Sequence, residues 1–248
     1  MRQMKKIKTT RPTLPNKGIE VSYRKKLQKI ITDMNADLNK RVLAAYHTDE
    51  LDMVMQSVGD EWQVKFDKLA EKMATDFVSS GQRYASQSFA AALKDAGWTV
   101  DFKMTIPMRS VMDKVITDNI GLIKSIPAKH LSQVQDVIQE SISRGRDLHY
   151  ATEELANRFG VTKRRAAFIA QDQNNKMTAQ FNRVRREELG ITEAIWRHSH
   201  AGKEPRASHV HADGRKFNVA EGCMIDGEFI QPGELPRCRC YSVPVLPF

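Results

Sequence analysis

From residue 22 to about residue 190 apolar side chains recur every three or four positions, and after Ile191 that period stops. Leu27, Ile30, Ile31, Met34, Leu38, Val42 and Tyr46 fall on one face of a helix. Thr48, Asp49 and Glu50 read as a helix start, and Leu51, Met55, Val58, Trp62, Phe66, Leu69, Met73 and Phe77 carry the alternation onward. Tyr84, Phe89 and Leu93 extend it toward Gly97, with Gly59 and Gly81 as local weak points. Such a stripe is a bundle core or a coiled-coil seam, and bundle core is the commoner outcome. Pro107, after Thr105, marks the first turn of a helix through Val111, Val115, Ile116, Leu122 and Ile123, which Pro127 is expected to end or kink. Leu131, Val134, Val137, Ile138 and Ile142 form the next helix, stopped by Gly145. Thr152 starts a short helix closed by Gly160, and Thr162 starts a long one stopped by Gly190.

Beyond Ile191 glycines and prolines punctuate the chain, and short strand candidates lie between them: Ala194–His198, Lys216–Val219, Glu228–Ile230 and Cys240–Leu246. Asp213-Gly214 and Asp226-Gly227 are turn dipeptides, and a short helix is expected near Arg206–His211. The fold class that follows is mainly α: an elongated helical body with a small C-terminal α+β module. Its divisions are a basic flexible arm (1–21), a helical body (22–160) and a C-terminal region (161–248). The last comprises a long helix (162–189) and the module (191–248).

Charge changes the picture at one end only. The chain carries a formal net charge of +9, and residues 1–29 hold ten basic side chains against the single acid Glu20. The remainder is balanced. A dense cationic segment with Pro12, Pro15 and Gly18 reads as an arm for nucleic acid or an acidic surface, the other reading being a solubilising tail. Its candidate DNA-binding residues are Lys5, Lys6, Lys8, Arg11, Lys17, Lys25 and Lys26. The basic run Lys163, Arg164, Arg165, Lys176, Arg183, Arg185 and Arg186 reads as a solvated helix face, with DNA or protein contact as the alternative. No apolar run approaches the roughly 20 residues that span a bilayer, so no membrane segment is expected.

All three cysteines, Cys223, Cys238 and Cys240, lie near the C-terminus, close in sequence to His209 and His211. Their odd number argues against a disulfide framework. Zinc accepts mixed Cys/His sets, which makes His209, Cys238 and Cys240 candidate ligands, with His211, His200 or Cys223 as a fourth. Two cysteines one residue apart project to opposite sides of a strand, so they reach one ion only from a turn. The metal-free reading packs the same residues without an ion, a disulfide using Cys223 is a third, and all three stay open. A metal-dependent hydrolase using His209, His211 and the cysteines is the enzymatic alternative. Yet the chain has no His-Glu-x-x-His, no Walker-type loop and no Gly-x-Ser-x-Gly. A host non-specific DNA-binding protein is a third reading, against which the neutral body argues.

One order of elements is more specific than any of its parts. An Arg-Ala helix (Arg165, Ala166), a strand with Trp196, Arg206-x-x-His209, Asp213-Gly214, Pro232-Gly233 and a terminal Cys238-Arg239-Cys240 follow one another. The set resembles the Mu F-like family of phage head-morphogenesis proteins. The resemblance covers residues 163–248, and the region 161–248 is accordingly read as Mu F-like. Many relatives carry Cys-x-x-Cys upstream of the Cys-Arg-Cys; here Arg206–His209 stand in that place. The resemblance implies a minor capsid protein with no enzymatic role, present in the virion inside the head near the portal and in the host cytoplasm during assembly. Its implied partners are portal protein, double-stranded DNA and other internal head or scaffold proteins, with a homo-oligomer open. DNA packaging or ejection would be its setting.

Overall fold

Four long helices account for the periodic part of the sequence: α1 (Lys17–Ala45), α2 (Leu51–Asp95), α3 (Ile106–Ser143) and α4 (Leu148–Glu188). They belong to a computed structural model that describes residues 8–202 and 204–248. The protein is mainly α with a small C-terminal α+β module, as the sequence pattern requires. No helix among the described residues is long and apolar enough to cross a membrane.

Helix ends follow side-chain capping more closely than hydrophobic period. α1 begins ahead of Ser22 because the Asn16 side chain accepts from the amides of Gly18 (2.8 Å) and Ile19 (3.2 Å). Thr105 caps α3 through the Met108 amide (3.3 Å), and Asp147 caps α4 through that of Tyr150 (3.0 Å). Gly145, at φ +81°, supplies the left-handed residue that ends α3.

Two expected breaks are absent. α3 continues through Pro127: a proline in mid-helix costs about 3 kcal/mol. Ile123, Ile126, Val134 and Ile138, all buried around it, each return roughly 1.5–3 kcal/mol. α4 starts at Leu148 and continues through Gly160, so the short helix from Thr152, the boundary at 160 and the helix start at Thr162 are corrected. Thr162 is buried inside α4, where its hydroxyl donates to the Arg158 carbonyl (3.0 Å) and meets His130 Nδ1 (2.9 Å). That hydroxyl has one proton and spends it on Arg158, so His130 is the donor at Nδ1, and its Nε2 is buried without a partner.

The chain divides into two compact units. Glu20–Phe77 and Ile116–Ala170 form an all-helical unit whose core includes Leu27, Ile31, Met34, Leu38, Val58 and Phe66. Tyr23 stacks on Phe77 with ring centres 4.1 Å apart, and its hydroxyl donates to Asn119 Oδ1 (3.2 Å). Trp62 Nε1 donates to Asp37 (2.8 Å). Leu69 lies on the predicted stripe yet is 43% exposed, so the stripe overruns the core it builds.

The second unit comprises 8–19, Val78–Val115 and Gln171–Phe248. Here α4 is followed by β1 (Glu193–Arg197), α5 (Ala207–His211), β2 (Lys216–Asn218), β3 (Cys223–Ile225), β4 (Glu228–Ile230) and β5 (Tyr241–Pro244). β1 is the centre of an antiparallel sheet of order β2-β1-β5, with Ala194 opposite Phe217 on one side and Pro244 on the other. β3 and β4 form a separate hairpin closed by Asp226-Gly227, both at positive φ as a tight hairpin turn demands. β3 was not anticipated: Cys223-Met224-Ile225 is apolar throughout, with no alternation to mark a strand.

Two charge readings are also corrected here. Residues 8–16 are not a flexible arm. Thr9 pairs with Val245, Leu246 donates to the Lys8 carbonyl (2.9 Å), and Asn182 and Asn174 donate to the carbonyls of Thr13 (3.1 Å) and Asn16 (3.0 Å). With backbone groups matched this way the segment lies extended, and from Lys17 it is helical. Residues 1–7, with Lys5 and Lys6, lie outside the described residues. Nor is the basic end of α4 a solvated face, since Arg185 and Arg186 are both buried. Arg185 donates to Ser86 (3.1 Å), the Lys103 carbonyl (2.8 Å) and Glu188 (2.7 Å). Arg186 donates to the hydroxyl and carbonyl of Ser242 (2.6 and 2.9 Å), holding β5 against α4. Burial lowers its pKa to about 10.

Candidate functional site

Trp196 organises the module. It is fully buried at the centre of β1, and its backbone N–H and C=O bond the Arg215 carbonyl (2.8 Å) and the Gly214 amide (2.9 Å). These bonds hold the Asp213-Gly214 turn beside the strand. Asp213 accepts from the His198 amide (2.9 Å), closing the other end of the same turn. The indole ring meets His209 edge-on at 5.2 Å and 90°, fixing the imidazole as it leaves α5.

Cys238 and Cys240 approach the same imidazole from a bend between β4 and β5. Arg237 there has φ +62°, its amide bonds the buried Asp172 carboxylate (2.9 Å), and Asn175 donates to the Cys238 carbonyl (3.2 Å). The chain therefore turns at the Cys-Arg-Cys segment, and both sulfurs fall on one side, which a strand would forbid. Cys238 Sγ lies 3.5 Å and Cys240 Sγ 3.7 Å from His209 Nδ1. All three residues are buried, and their ligand atoms lie within 4.8 Å of one another. No other His, Cys, Asp or Glu cluster among the described residues is grouped this way.

The two thiols titrate as a pair. A hydrogen bond from Cys240, then the amides of Cys240 and Gly233, hold the Cys238 thiol well below the usual thiol range despite its burial. Cys240, the donor in that contact, is pushed far above the usual thiol range. Cys223 stands apart in β3, a free buried thiol raised by desolvation.

The remaining sequence candidates scatter. Arg206 donates to the Pro236 carbonyl (3.0 Å) and Arg239 to Gln171 of α4 (3.2 Å), so both brace the bend that carries the cysteines. Arg165 belongs to the helical unit, donating to Ser125 (2.9 Å). His200 and His211 are exposed and outside the cluster. Sequence reasoning missed Asp172 and Asn175. Their position on α4, over sixty residues before the bend they hold, carries no local signal. It also missed the cleft lined by His198, Gly202, Pro205 and Arg206, which reaches all three cluster residues.

Residues 132–243 match the family model described as Phage Mu protein F like protein. This stretch is similar to the Mu F-like family. It begins within α3, upstream of the motifs, and ends in β5, so it takes in Trp196, His209 and both clustered cysteines. A curated protein of Haemophilus influenzae, described as an uncharacterized protein, is 27% identical over 254 residues. The alignment covers 95% of this chain and 55% of that protein, so the chain spans about half the length of the curated relative it matches. No solved structure matches the chain. The matched stretch thus embraces the whole cluster but only part of the helical unit.

Proposed function

We propose that this chain is a minor head protein of a tailed bacteriophage or prophage. It acts in head morphogenesis and contacts the portal protein and packaged DNA, without catalysing a reaction itself. The observation that carries this reading is the family match over residues 132–243. A structural role also suits the module, whose motif residues hold one another: Asp213 and Gly214 bind β1, and Arg206 binds the bend.

DNA contact rests on fewer groups than the charge count suggests. Arg11 pairs with Asp95 (2.9 Å), Lys26 with Asp76 (3.4 Å), and Lys8 lies over the Phe248 ring (4.6 Å). Lys25 is exposed on α1. Replacing Lys5, Lys6 and Lys25 with Gln should weaken DNA binding and make the dependence of log K on log salt shallower by about 3. An unchanged slope would remove DNA from the proposal. The test of the whole reading is a pull-down of the purified chain with portal protein, at low and high salt, with nuclease added. Stoichiometric retention without DNA is expected. Complete loss on nuclease treatment would overturn portal association and leave DNA as the bridge.

A further inference from the structure

We infer that His209, Cys238 and Cys240 bind one zinc ion, which pins the Cys-Arg-Cys bend to α5 and β1. This goes beyond the head-protein reading and does not depend on it.

Distance is the first argument. A tetrahedral zinc bound at ~2.3 Å to sulfur and ~2.0 Å to nitrogen sets its nitrogen and sulfur ligands ~3.5 Å apart. The observed separations from His209 Nδ1 are 3.5 Å to Cys238 Sγ and 3.7 Å to Cys240 Sγ. Both sulfurs converge on the same nitrogen, as three ligands of one ion must.

The surroundings agree. The Cys240 and Gly233 amides face the Cys238 sulfur, and the Ser199 amide faces that of Cys240. The Trp196 indole N–H also approaches Cys240, at longer range and with no full hydrogen bond of its own. Such N–H donors suit thiolates, which accept hydrogen bonds better than thiols do. Charge also balances: two thiolates, a neutral imidazole and a divalent cation sum to zero, so the buried centre leaves no net charge to solvate. The edge-on Trp196 ring fixes the imidazole plane independently of the ion. The fourth position faces the cleft lined by His198, Gly202, Pro205 and Arg206, where a water molecule completes the tetrahedron.

Cobalt(II) added to the metal-stripped full chain, kept reduced, tests this directly. One equivalent is expected to bind, with tetrahedral d–d bands and the thiolate charge-transfer intensity of two sulfurs, and zinc should displace it. Cys238→Ser and Cys240→Ser should each halve the charge-transfer intensity and weaken binding at least tenfold, while Cys223→Ser changes neither. The unsubstituted protein alone gives the ligand count, so misfolding of a variant does not blur the result. Absence of charge-transfer bands in folded protein, an octahedral spectrum, or equal sensitivity to Cys223→Ser would overturn the proposal.

Discussion

The helical unit and the C-terminal module solve the same problem with different redundancy. In the helical unit many apolar side chains at three- and four-residue spacing share one core, so the core tolerates a proline at 127 within α3 and a glycine at 160 within α4. The module has five strands of three to five residues, and its smaller buried cluster closes around Trp196, with Cys238 and Cys240 in it and His209 against the indole. Distributed burial forgives local faults, whereas a core built on one ring does not.

The sharpest way to break this contrast is Trp196→Ala, which should cost about 3–5 kcal/mol, the usual toll for emptying a large aromatic site. Hydrogen exchange should show protection lost across residues 193–245 while α1 keeps its own. Uniform loss across both regions would mean that the module is no separate weak point.

The helical unit has a fault at His130 that its apolar mass does not absorb. Burial holds the His130 pKa at about 4 in the folded state, against about 6.5 unfolded. Between those values the unfolded chain binds a proton that the folded chain does not, so stability falls as pH drops through this window, by roughly 3 kcal/mol. His130→Leu should flatten that part of the profile. Urea midpoints at pH 7 and pH 4.5 check it, and an identical pH dependence in both proteins would refute the assignment.

Two glycines give the smallest effects and opposite signs. A Cβ on Gly81 would sit 2.1 Å from the Cε of buried Met177, so Gly81→Ala should destabilise by about 1–3 kcal/mol. At Gly160 the nearest group is the Arg164 guanidinium at 3.4 Å, and Gly160→Ala should stabilise by roughly 0.5–1 kcal/mol. Thermal melts of both variants suffice. A loss at Gly160 would show that the glycine in α4 is required rather than tolerated.

Much of the candidate site was visible as residue types in order, because Arg-x-x-His, Asp-Gly and Cys-Arg-Cys are local signals. Their spatial roles were not. That Arg165 lies in the other unit, that His211 faces solvent and that Asp172 ties down the bend depend on contacts between residues far apart in sequence. Arg185 and Arg186 show the limit most clearly. Two arginines at the end of a helix look solvated, and only the placement of Phe102, Ser86 and Ser242 makes them interior.

The sequence by itself determined the helical class, the change of texture at Ile191 and the turns at Gly145, Asp213-Gly214 and Asp226-Gly227. Period and backbone strain act over a few residues and leave their mark in the chain. Tertiary structure alone decided that α3 and α4 run unbroken and that residues 8–16 lie extended beside Val245. It alone brought two cysteines one residue apart to the same histidine. Each of these outcomes balances a local penalty against burial or hydrogen bonds that distant segments supply.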